Sequence, residues 1–207
     1  MIEALRDVGT FDGLPLLIGA VVIAGIVRGF TGFGTALVYV PIASTVLPPV
    51  WVLATMIIYD TFGALPMLPR ALRDGDLRDV LRLLPGAFLG LIVGLAVLTR
   101  VDPLVCRWAT CTLALALLVV LASGWRYRRA LGLAGKSAIG LAAGLLGAVA
   151  GVPGPPVILF YMGGPSGAAM IRANIMMFLI TFEVLFIGLM VVNGHLTAFP
   201  VVIGLLL

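Results

Sequence analysis

Residues Gly25 to Pro41 read GIVRGFTGFGTALVYVP, and Gly144 to Phe160 read GLLGAVAGVPGPPVILF: apolar sequence, in each case interrupted by a glycine-rich break. Shifting the chain by 119 residues lays its first third over its last third without a gap. Gly25 then falls on Gly144, Gly32 on Gly151, Val38 on Val157, Ala54 on Ala173, Gly75 on Gly194 and Leu77 on Leu196. Few aligned positions are identical, so the unbroken register carries the argument. Two copies of an interrupted membrane segment are the pattern of a secondary transporter, with its substrate site where the breaks meet.

Composition places the chain in a bilayer. It is 62% hydrophobic and only 11% charged, with a mean hydropathy of +1.22, outside the range of soluble domains. Several apolar runs approach the roughly 20 residues that cross a membrane. The N-terminus, MIEALRDVGTFDG, lacks the basic start and cleavage site of a secretory signal. The net charge of +4 comes from basic residues in short loops between spans, which is a topology signal and excludes a nucleic-acid-binding face. Cys106 and Cys111 lie five apart in one apolar stretch and point in different directions around a helix, so neither a disulfide nor a metal site is expected. With a single histidine there is no metal-ligand cluster, and no cofactor is implied.

The apolar pattern predicts a helix from Leu14 to Val27, a break from Arg28 to Gly34, and a short segment from Thr35 to Leu47 ended by Pro48-Pro49. Further spans are predicted from Trp51 to Leu68, Arg82 to Leu98 and Leu104 to Ala122, with a polar loop from Arg70 to Asp79. The second half repeats the scheme: a helix from Ser137 to Ala150, a Gly/Pro break, a short segment from Val157 to Met162, a helix from Ile171 to Val192, and a turn at Asn193-Gly194-His195. Five segments precede the second copy, and an odd number inverts it. The loops agree with inversion. Arg70, Arg73 and Arg78 share one loop, and Arg126, Arg128, Arg129 and Lys136 share another two spans later, so both face the cytoplasm. Asn193 to Ala198, the counterpart of the first loop, has no Lys or Arg and fits the outside.

The expected fold is therefore all-α: a polytopic integral membrane helix bundle of two inverted-topology repeats with Gly/Pro-broken helices. Residues 1–123 form the first repeat, 124–136 an arginine-rich cytoplasmic loop, and 137–207 the second repeat. The N-terminus is expected outside. The counterpart of the fifth span would lie near residue 241, past Leu207, so the second repeat reads as C-terminally incomplete.

Broken backbone survives in lipid only where it is buried in protein or lines a polar cavity. Helix N-termini after such a break aim free N–H groups and positive dipole ends at the cavity, which suits a small anion. In the first break Gly29, Gly32 and Gly34 permit close approach, and Thr31 and Thr35 add hydroxyls. In the second, Gly151, Gly154 and Pro155 open the following segment. Close packing by small residues is the competing explanation. Arg28 adjoins the first break and is the candidate anion-attracting charge; its alternative is snorkelling at a helix end. Asp60 and Glu183 lie on the third helix of each copy, and the counterpart of Asp60 is Leu179, one turn before Glu183. A carboxylate there is costly unless paired, hydrated or protonated, which suits proton coupling. Thr55 and Asn174 are equivalent positions, facing the cavity or bridging helices. Arg172 marks the cytoplasmic start of its helix, and His195 reads as a surface histidine.

At the two breaks, GFTGFGTALVYVP and GLLGAVAGVPGPPVILFYM, and in its arginine-rich central loop, the chain resembles the TauE/SafE family of sulfite and organosulfonate exporters. The resemblance covers nearly the whole chain and implies a bacterial inner-membrane transporter that moves a small sulfur-containing anion outward. Carried over position by position, it places the site at Gly29, Gly32, Gly34, Thr35, Gly151, Gly154 and Pro155. The chain departs from the more glycine-rich family pattern at Ala36 and Pro153.

The expected partners are that anion and the lipid bilayer, and a homodimer is compatible with so small a bundle. A passive anion channel and a membrane scaffold without transport are the alternatives. An enzyme is not expected, since one loop histidine and two scattered cysteines supply no nucleophile–base pair.

Overall fold

The computed structural model describes residues 8 to 31, 34 to 102, 131 to 164 and 166 to 207, with isolated positions between Leu104 and Ser123. The regular elements it describes are helices: α1 (Leu14–Thr31), α2 (Thr35–Ala43), α3 (Pro49–Ala64), a 3-10 turn (Leu65–Met67), α4 (Leu68–Asp74), α5 (Leu77–Leu81), α6 (Leu84–Leu98), α7 (Leu133–Ala150), α8 (Gly154–Met162), α9 (Ala168–Val192) and α10 (Ala198–Leu206). The predicted span from Leu104 to Ala122 and the arginines of the central loop fall largely or wholly outside the described residues.

Among the described residues, four stretches are long and apolar enough to cross a bilayer: Pro49–Asp74, Leu77–Leu98, Leu133–Ala150 and Ala168–Val192, with the shorter apolar helix Leu14–Phe30 beside them. The helix bounds carry the same 119-residue offset as the sequence. α7 and α8 each begin and end 119 residues after α1 and α2, and α9 begins 119 residues after α3.

Local chemistry explains where these helices start and stop. Pro49 sits in the first turn of α3, and Pro155 in that of α8, where a missing N–H costs nothing. Gly151 ends α7 with φ 72° and Gly34 precedes α2 with φ 98°. Both angles lie in the left-handed region that side chains with a Cβ avoid.

Several boundaries differ from the sequence expectation: α2 ends at Ala43 instead of Leu47, α8 begins at Gly154 instead of Val157, α9 begins at Ala168 instead of Ile171, and three further differences relocate charged residues. α1 runs on to Thr31, so Arg28 lies in its last turn rather than in the break; an ion pair with Asp60 lets the guanidinium stay inside the bundle. α7 starts at Leu133, four residues early, and takes Lys136 into its first turn. The predicted polar loop Arg70 to Asp79 is mostly helical, because Leu, Arg and Ala are good helix formers. Asp76 opens α5 there, its side chain accepting from the Asp79 N–H at 3.2 Å.

The tightest joint in the bundle is α6 against α7. Gly86, Gly90 and Gly94 repeat every fourth residue on α6, facing Gly140, Gly144 and Ala148 on α7. A Cβ on Gly86 or Gly90 would strike the backbone carbonyl of Ser137 or Leu141, and one on Gly140 or Gly144 would strike that of Leu83 or Ala87. Helix association in lipid gains little from the hydrophobic effect and rests on such close backbone approach. Around this pair, α9 packs on α3, α4, α6 and α8, while α10 packs on α3. The core of large side chains is carried by Phe178, Phe182 and Phe186 on α9 with Leu53 and Ile57 on α3.

Candidate functional site

The two breaks meet. A cavity of about 40 Å³ is lined by Arg28 from α1, Gly34 and Thr35 at the start of α2, Asp60 from α3, Gly151, Gly154 and Pro155 between α7 and α8, and Glu183 from α9. Leu179, Phe182 and Phe186 supply its apolar wall. A volume of that size accommodates a few water molecules or one small ion.

Arg28 is mostly buried, its side chain 15% exposed, and is salt-bridged through Nη1 to Asp60 Oδ1. The same nitrogen donates to Thr35 Oγ1 at 3.2 Å, while Nη2 is buried with no hydrogen-bond partner among the described residues. A planar guanidinium held by one edge and free on another is a fork with room for an acceptor. Glu183, only 5% exposed, accepts from Thr61 Oγ1 at 3.0 Å. Adjacent residues of α3 therefore hold the two charged partners: Asp60 grips Arg28, and Thr61 grips Glu183. With every group ionised, the site contains one positive and two negative charges.

The other described candidates lie elsewhere. Gly29 lines a wider groove beside the cavity, where a Cβ would meet nothing within 4 Å. Gly32 and the Thr31 side chain lie outside the described residues. Thr55 is fully buried and shares a 2.8 Å hydrogen bond with Tyr39 OH, away from the cavity lining. Asn174 accepts from the Asp76 backbone N–H at 2.7 Å through Oδ1. Both bridge helices. Arg172 lies in the second turn of α9, and His195 follows the turn that ends it.

Sequence reasoning missed Thr61, because its partner lies 122 residues away and a threonine in an apolar helix carries no signal of its own. It also missed the ion pair between Lys136 Nζ and Asp79 Oδ1, whose residues it placed in two separate loops. The Lys136 ammonium also lies 5.9 Å from the centroid of the Phe160 ring.

Comparison with curated proteins gives no match, and neither does comparison with solved structures. The family model described as sulfite exporter TauE/SafE matches residues 17–207. With nearly the whole chain covered and several helices fit to span a bilayer, this protein belongs to the TauE/SafE family of sulfite-exporter-type membrane transporters.

Proposed function

We propose that this chain is a secondary transporter that exports a small sulfur oxyanion such as sulfite by alternating access, from the cavity where its two breaks converge. One observation carries the reading: a buried arginine whose Nη2 has no hydrogen-bond partner among the described residues lines that cavity together with both breaks. Arg28 would receive the anion, and the backbone N–H groups at the start of α2, with that of Gly154 before the prolines of α8, would complete its shell. The size favours a compact trigonal oxyanion; a longer organosulfonate requires the cavity to open further.

Proton coupling follows from charge. A further anion arriving beside two carboxylates would meet repulsion of about 3 kcal/mol per like charge at 5 Å with an effective dielectric of 20. Proton uptake by Asp60 or Glu183 removes it. The anion and at least one proton then occupy the site together, and Asp60, once protonated, releases Arg28 to the substrate. A passive anion channel lacks this linkage, and that difference separates the two readings.

The orientation rests on the arginines. Arg70, Arg73 and Arg78 face the cytoplasm of a bacterial inner membrane, and residues 1–123 and 137–207 are inverted repeats joined through the 124–136 loop. Asp60 lies ten residues from Arg70, and Glu183 eleven from Arg172. At 1.5 Å per residue, with about 2 Å per residue through the 3-10 turn, those are each about 17 Å, consistent with both acids lying near the middle of a roughly 30 Å core. The test is sulfite flux into proteoliposomes from wild-type protein and Arg28→Gln, with and without a pH gradient. Loss of flux in Arg28→Gln and acceleration by acid on the anion side support the reading. Equal flux in both proteins, or indifference to the gradient, contradicts it.

A further inference from the structure

Three spaces in the bundle share walls. The cavity at the breaks has Arg28, Thr35 and Asp60 in common with a groove of about 880 Å³ that opens beside α1, α3 and α10. That groove shares Met67, Arg172 and Met176 with a cleft of about 450 Å³ between α4 and the start of α9, where Arg70 and Asp74 lie. The three adjoin in a line from the arginine-rich end of the bundle to the cavity beside Glu183, each meeting the next at shared wall residues.

The charges along the line are unequal. Arg28 is committed to Asp60, and Arg70 lies 3.6 Å from Asp74 in an exposed pair. Arg172 is exposed and makes no ion pair among the described residues, although it lines both outer spaces. Its neighbours there, Met67, Met176 and Ile175, are apolar. An uncompensated cation on a low-dielectric wall concentrates anions and raises their capture rate.

We propose that this line is the substrate's path between the cavity and the arginine-rich end, and that Arg172 is its outer anion station. It captures a small oxyanion by its charge and guanidinium fork and passes it to Arg28. The inference rests on the carrier reading and adds a route and a second binding residue. A site for an anionic lipid headgroup would use the same arginine but would not govern substrate affinity, and that difference decides the experiment.

The KM and kcat for sulfite are measured in proteoliposomes of uniform orientation for wild type, Arg172→Gln and Arg172→Lys, at low and high ionic strength. Arg172→Gln is expected to raise KM about tenfold at low salt, with kcat within about twofold. Arg172→Lys should recover most of the affinity, and high salt should shrink the difference. An unchanged KM at low salt, or a fall in kcat at constant KM, overturns the proposal. Arg172→Cys, in a protein with Cys106 and Cys111 changed to Ser, is then labelled with a membrane-impermeant anionic maleimide. Labelling from the arginine-rich side is expected to block flux, and a labelled protein with full flux overturns the route. Absence of flux from folded wild-type protein would sink the carrier reading and the route with it. Normal wild-type flux with an indifferent Arg172→Gln sinks the route alone.

Discussion

Arg28 and Asp60 form an ion pair that ties the last turn of α1 to α3 beside the meeting point of the two breaks. Each residue alone would be a costly charge inside a membrane protein. Together they hold a guanidinium in the cavity with Nη2 unpartnered among the described residues. Breaking such a pair from one side leaves a buried charge unanswered, at a cost of about 3–5 kcal/mol. Arg28→Gln and Asp60→Asn are each expected to lower thermal stability. The double variant should recover stability through its two amides while remaining inactive, since no cation is left for the substrate. Thermal unfolding in detergent alongside flux checks this, and a double variant that transports would refute the role given to Arg28.

Glu183 depends on Thr61 for its hydrogen bond. Glu183→Gln keeps an oxygen to accept from Thr61 but has no proton to exchange. It is expected to transport sulfite with the dependence on the pH gradient weakened or abolished. Thr61→Val removes the donor and should cost about 1–3 kcal/mol of stability, the penalty of a buried acceptor left without a partner. Flux against imposed gradients reads the first effect, and thermal unfolding the second.

Much of the fold was legible from the sequence because Gly34, Gly151 and the prolines after it stop and start the helices here, and broken backbone in a membrane protein has to be buried or line a cavity. The 119-residue offset then reappears in the helix bounds. The polar segment Arg70 to Asp79 was harder. Its charge reads as a loop, yet its residues are helix formers and its turns are closed by Asp76 and Asn174, a contact spanning 98 residues. Thr55 and Asn174 were recognisable as equivalent positions, but not as helix bridges, because periodicity gives a face and not a partner. Likewise Arg28 read as part of the break, since only the packing reveals the carboxylate that keeps it helical.

The glycine seam between α6 and α7 sets a stability test away from the cavity. Gly90→Ala drives its Cβ into the backbone of α7 near Leu141 and Leu145, and overpacking of this kind costs about 1–3 kcal/mol. Gly188→Ala, on the exposed face of α9 with nothing within 4 Å, should be neutral or stabilising by up to about 1 kcal/mol. Unfolding midpoints of the two variants are expected to move in opposite directions or to differ clearly.

Lys136 and Asp79 clamp the first turn of α7 to α5. Arg82 lies 3.7 Å from the same carboxylate but is more exposed, so it offsets only part of a loss. Lys136→Ala and Asp79→Ala are each expected to destabilise by about 2 kcal/mol, the scale of a charge-assisted hydrogen bond. The double variant should cost less than their sum, as coupled partners do. Additive losses would show that the pair is not energetically coupled.

The most direct measurement is sulfite uptake by proteoliposomes holding wild-type protein or Arg28→Gln, with the anion compartment at acidic and at neutral pH. The expected result is saturable wild-type flux that rises when the anion compartment is acidified, with at least about a tenfold loss in Arg28→Gln, the equivalent of roughly 1.4 kcal/mol of lost substrate interaction. Wild-type flux that ignores the gradient, or an Arg28→Gln protein that transports as well as wild type, would contradict a proton-linked anion site at the meeting of the two breaks.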